Sequence, residues 1–126
     1  MKRYVKSVIS KASDEDDIEV RREIAEDPKT PLSTLIDLAL NRGMFYARAR
    51  VALNPKTPVD VLWQLYHQNI DDVADKYIWV AMYRGNPRTP LDLQRELSRR
   101  LRNCNVEWIY NDLIHDRLPN YNKTTG

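Results

Sequence analysis

Six of the seven prolines in this chain belong to three copies of one short pattern. The copies are Asp27-Pro28-Lys29-Thr30-Pro31, Asn54-Pro55-Lys56-Thr57-Pro58 and Asn86-Pro87-Arg88-Thr89-Pro90. A proline drives the residue before it out of the helical region, so Pro28, Pro55 and Pro87 each end an incoming helix. The second proline of each copy suits a first helical position, where no backbone N–H is required. Thr30, Thr57 and Thr89 are then expected as N-caps whose hydroxyls accept from free backbone amides. Asp60 and Asp92 are expected at the third helical position, where a carboxylate reaches back toward the cap, with Ser33 there in the first copy. The pattern recurs after 27 and then 32 positions, within the range of about 20–50 residues typical of stacked repeats.

Apolar spacing completes each unit. Val20 and Ile24 precede the first corner and Val51 and Ala52 the second, while Leu35 and Leu38, Leu62 and Leu65, then Leu93 and Leu97 follow the three corners at helical spacing. Each unit reads as helix, proline corner, helix, so the chain is expected to be all-α. Trp79, Tyr83 and Arg84 make the first helix of the third unit the least regular. The stretches Leu40 to Tyr46 and Asn69 to Lys76 read as long linkers. We expect one domain over residues 1–119, with units over 20–46, 47–76 and 77–102. A cap over 1–19, bearing Tyr4, Val5, Val8 and Ile9 on one helical face, closes the amino-terminal end. A second cap over 103–119 starts at Asn105, carries Val106, Ile109, Tyr110, Leu113 and Ile114, and stops at Pro119; residues 120–126 form a tail.

The segments Val20-Arg21-Arg22-Glu23-Ile24-Ala25-Glu26-Asp27-Pro28-Lys29-Thr30-Pro31 and Arg48-Ala49-Arg50-Val51-Ala52-Leu53-Asn54-Pro55-Lys56-Thr57-Pro58 resemble the leucine-rich repeat variant family. The resemblance covers roughly residues 20–100. It implies a short right-handed α/α superhelix, a solenoid of about three units with helical caps at both ends. Some relatives carry a cysteine-rich iron–sulfur module; the sole cysteine here is Cys104, so that feature does not transfer.

Composition bounds what such a chain can do. One cysteine excludes an internal disulfide framework and a multi-cysteine metal site, and it accords with a reducing compartment, so a cytoplasmic location is expected. Apolar runs are too short for a membrane span, and Lys6 interrupts any signal-like stretch. Gly43, Gly85 and Gly126 are too scattered for a phosphate loop. The net charge is only +2, yet residues 77–102 hold six arginines, Arg84, Arg88, Arg95, Arg99, Arg100 and Arg102, against two acids.

Catalysis would need Cys104 or a serine near His67 or His115, with Asp112 as the orienting acid, and the spacing forms no known constellation. The acidic run Asp14-Glu15-Asp16-Asp17 lacks the spaced ligands of a calcium loop and suits a helix start capped by Ser13. Asp71, Asp72 and Asp75 with His67 likewise lack a metal-loop signature. No cofactor, metal or reaction is therefore expected.

What remains is binding. Arg95, Arg99 and Arg102 recur on one side of the last unit's helix, and Lys29, Lys56 and Arg88 share one position in the three corners. Trp63, Tyr66 and Trp79 are candidate anchors, since interfaces favour aromatics and arginine. The expected function is a non-catalytic protein–protein interaction module, an adaptor or an inhibitor that occludes a larger enzyme, for instance a phage-encoded factor. The alternative is nucleic-acid binding through Arg84, Arg88, Arg95, Arg99 and Arg102, joined by Lys29 and Lys56.

Overall fold

The structure is a computed structural model that describes residues 18–115 and 117. The expected amino-terminal cap helix, the Asp14–Asp17 run, Pro119 and the tail lie outside the described residues. Seven α-helices and no strand are found among the described residues: α1 (Ile18–Glu26), α2 (Leu32–Asn41), α3 (Phe45–Leu53), α4 (Val59–His67), α5 (Asp72–Gly85), α6 (Leu91–Arg100) and α7 (Val106–Ile114).

The three proline corners carry one set of bonds. Asp27, Asn54 and Asn86 each accept, on Oδ1, from the backbone N–H two residues on, at 2.9, 2.8 and 2.9 Å. Their carbonyls accept from the amides of Thr30, Thr57 and Thr89. The threonine side chains depart from expectation. Their hydroxyls donate backward, to the carbonyls of Ile24, Val51 and Met82 at 2.5, 2.7 and 2.8 Å, rather than capping the next helix. The reason lies in the helix ends: the last carbonyls of α1, α3 and α5 lack intrahelical donors, and a hydroxyl across the tight turn supplies one. The following helices begin after Pro31, Pro58 and Pro90, which are extended and make no side-chain cap bond. Asp92 correspondingly accepts from its neighbour Leu93 N–H and does not reach back to the cap.

The helices pack as two rows. α3 lies between α1 and α5, and α5 lies between α3 and α7. The second row flanks the first: α2 packs against α1, α3 and α4, while α6 packs against α5. Tyr66 of α4 reaches α6 by donating its hydroxyl to Glu96 at 3.2 Å. Interior position explains composition, because α3 and α5 are covered on several sides and bury Ala47, Ala49, Val51 and Ala52, and Ala74 with the run Tyr77 to Met82. Terminal α6 buries only Leu93 and Leu97, each contributing about 1.5–3 kcal/mol.

Side chains tie one corner to the next. Arg50 donates to the carbonyls of Ala25 and Asp27, linking the first and second corners. Asn86 Nδ2 donates to the carbonyls of Ala52 and Asn54, linking the second and third.

Both expected long linkers are shorter than the sequence suggested. α2 runs to Asn41 and α3 starts at Phe45, because Gly43 takes a left-handed φ of 62° that turns the chain sharply. α5 starts at Asp72, where Asp71 caps it by accepting from Ala74 N–H at 2.9 Å. The third unit's first helix is accordingly longer, 14 residues against 9 in α3.

Beneath this junction lies a buried polar network. Arg48, 1% exposed, pairs with Asp75 at 3.5 Å and donates to the side chain and carbonyl of Gln68. Gln68 donates onward to Leu40 O, and Asp75 accepts from Ile70 N–H. The network fastens the two connections flanking α3 and α4 to α5.

Candidate functional site

The surface that stands out is the corner between α6 and α7. Leu93 and Leu97 point into the core, which turns Arg95, Ser98 and Arg99 of α6 outward. Arg99 and Arg100 occupy the last turn of α6, where cations complement the partial negative charge of the helix end. The chain then turns tightly, with Cys104 N–H donating to Leu101 O and Val106 N–H to Cys104 O, each at 3.0 Å. Asn105 caps α7 by accepting from Trp108 N–H at 3.1 Å, as its sequence position implies.

Two shallow depressions meet here. One, about 490 Å³, is lined by Arg95, Arg99 and Arg102 with Ser98, Tyr83, Leu101, Cys104 and Val106. The other, about 480 Å³, is lined by Lys76, Arg99, Arg100, Arg102, Asn103 and Cys104. Glu96 pairs with Arg99 from the rim. Arg100 lies over the rings of Tyr66 and Trp79 at 5.4 and 5.3 Å, which holds its guanidinium in place.

The residues singled out in the sequence separate into groups. Arg95, Arg99 and Arg102 come together at this corner. Arg84 is exposed but committed: it donates to Glu107 at 2.8 Å and covers the Tyr110 ring at 4.3 Å. Its hydrogen bond to Glu107 pushes the Arg84 guanidinium further above its ordinary range. Lys29, Lys56 and Arg88 are exposed at equivalent places in the three corners. Tyr66 and Trp79 are buried, at 4% and 9% exposure, so what reaches the surface above them is Arg100 and not the rings. Trp63 is half-buried and stacks on His67 in a separate depression of about 420 Å³ that also includes Leu40, Asn41, Gln64 and Gln68.

Sequence reasoning missed Lys76 as a member of the corner, while Tyr83 was among the aromatics that exposure beside the arginines would mark as a binding surface. Lys76 and Tyr83 are seven residues apart on α5, hence on one helical face, and that spacing was the available signal. Trp108, another of those aromatics, is 60% exposed on α7 but lines neither depression.

Of the groups considered for chemistry, Cys104 lines the corner itself, while Asp112, His115 and His67 make their contacts elsewhere. Asp112 accepts from the Tyr77 hydroxyl at 2.9 Å and from Arg117 at 3.3 Å, while His115 Nδ1 lies 2.9 Å from Asn111 O. Burial first, then the bond to Asp112, pushes the Tyr77 phenol from 10.0 up to about 12. Asp75 belongs to the Arg48 network, and no cluster of potential metal ligands occurs among the described residues. No helix among them is long and apolar enough to cross a membrane.

The fold and this corner define an all-helical protein with an arginine-lined surface at one end of its stacked helices. No family model, curated protein or solved structure matches the chain.

Proposed function

We propose that the chain is a short right-handed solenoid of about three repeats of the leucine-rich repeat variant type, and that it acts without catalysis by binding a partner protein. The shared bonds of the three corners, and the ties that Arg50 and Asn86 make between successive corners, support the repeat reading. The observation that carries the binding role is the α6–α7 corner, where Arg95 of α6 and Arg102 of the following turn stand beside Tyr83 and join no ion pair among the described residues. Arginine and tyrosine are favoured interface anchors, and solenoids present side chains that can vary without disturbing the core. The module works as an adaptor or an inhibitor in the cytoplasm.

Affinity capture from the native host's lysate at low and high salt, with nuclease in parallel, tests this role. A stoichiometric protein that survives nuclease treatment is the expected result. Capture lost on nuclease treatment would transfer the function to nucleic acid, the second reading, which the same arginines favour. Capture of neither class would refute binding as the function.

A further inference from the structure

The two depressions at the α6–α7 corner share Arg99, Arg102 and Cys104. Together they bring five cations into one place, Arg95, Arg99, Arg100, Arg102 and Lys76, and no carboxylate lines either depression. Their floors differ. One carries Tyr83, Leu101 and Val106, whereas the other is walled mainly by cations and Asn103. A matching occupant therefore needs several negative charges and at least one apolar group.

We propose that this corner is the docking site for an acidic, amphipathic segment of a partner protein. Its carboxylates pair with Arg95 and Arg102, the corner guanidiniums beside Tyr83 that join no ion pair among the described residues, and one apolar side chain seats against Tyr83, Leu101 and Val106. The inference rests on the binding role proposed above and gives that role a place and a chemistry. Guanidinium groups match carboxylates through paired N–H donors, and adjoining cations steer an acidic segment toward the corner. A peptide suits the patch better than a nucleic-acid strand because the cationic surface is short. Asp92 and Glu96 on α6 and Glu107 in the first turn of α7 interrupt the basic surface along the two helices that form the corner.

Cys104 supplies a built-in reporter, since it is the only cysteine and borders both depressions. The experiment measures the rate of its alkylation by iodoacetamide, by mass spectrometry, with and without a synthetic peptide of several glutamates flanking one phenylalanine. Saturable protection is expected, about tenfold when peptide exceeds its Kd by about tenfold. Protection is expected to disappear with a glutamine version of the peptide. It is also expected to disappear in the Arg95→Glu/Arg102→Glu variant, whose helical circular dichroism is unchanged.

Absence of protection at millimolar peptide overturns the proposal. Stronger protection by a single-stranded oligonucleotide overturns it in favour of nucleic acid. Protection that grows with protein concentration, without peptide, overturns it in favour of the acidic run Asp14–Asp17 of a second copy. A lysate partner that binds the double variant as tightly as the parent refutes this site while leaving the binding role standing; failure to capture any partner refutes the role itself.

Discussion

Asn54 and Asn86 occupy the same position of the same motif, yet Asn→Asp is expected to be nearly neutral at the first and strongly destabilising at the second. In Asn54→Asp the one side-chain bond, from Lys56 N–H to Oδ1 at 2.8 Å, is kept, and the site is only half-buried. In Asn86→Asp the equivalent bond from Arg88 N–H survives, but Nδ2 loses its two bonds to Ala52 O and Asn54 O. A carboxylate oxygen would then face those carbonyls at separations of 2.9 and 3.0 Å, in a side chain only 3% exposed. Two lost bonds at about 1 kcal/mol each, plus the burial of a charge against like dipoles, bring the loss to about 3–4 kcal/mol. That is a large share of a typical stability of about 5–15 kcal/mol. With a urea m-value of about 1.5 kcal/mol/M, the midpoint falls by about 2 M, whereas Asn54→Asp moves it by less than about 0.3 M. Urea unfolding followed by circular dichroism measures both. Midpoints for the two variants within experimental error of one another would refute the tie between the second and third corners.

Three further perturbations follow from particular contacts. Arg48→Ala leaves the Asp75 carboxylate buried without its guanidinium and is expected to cost about 3–5 kcal/mol; adding Asp75→Asn recovers part of this, because no charge is then stranded, as denaturant titration would register. Gly43→Ala places a side chain at φ 62° and is expected to cost about 1–2 kcal/mol. Gly43→Asn should cost less, because Asn tolerates that conformation, while the 3.4 Å approach to Ile70 is ordinary contact; the order of thermal midpoints decides between conformational and steric causes. Tyr77 holds its proton up to about 12 in the folded state against 10.0 ordinarily. Between those values the folded chain binds more protons than the unfolded one, so stability falls as pH rises through that window. Tyr77→Phe should flatten the decline, and parallel unfolding of both proteins from neutral to strongly alkaline pH gives the difference.

The α6–α7 corner was only partly legible in the sequence. Arg95 and Arg99 could be grouped because helical spacing is a local property, and Arg102 joins them from the turn just past the end of α6. Arg84 looked equivalent by composition, yet Glu107 and Tyr110 occupy it from α7, 23 and 26 positions further along the chain. Tyr66 and Trp79 looked like anchors because aromatic residues serve equally in cores and interfaces. Only the placement of α4 and α5 against α6 puts both rings beneath Arg100.

The proline motif determined by itself that helices stop and restart three times, because proline acts on the backbone of its immediate neighbours wherever the chain goes. The apolar spacing likewise determined which face of α2, α4 and α6 turns inward. Tertiary structure decided what each repeated residue does. Identical asparagines at 54 and 86 acquire different partners, and the threonines donate backward where capping was expected, because helix-end carbonyls with a spare lone pair lie within reach. Hydrogen bonds between distant segments depend on which carbonyls with spare acceptor capacity packing brings within reach, and that is a property of the assembled helices.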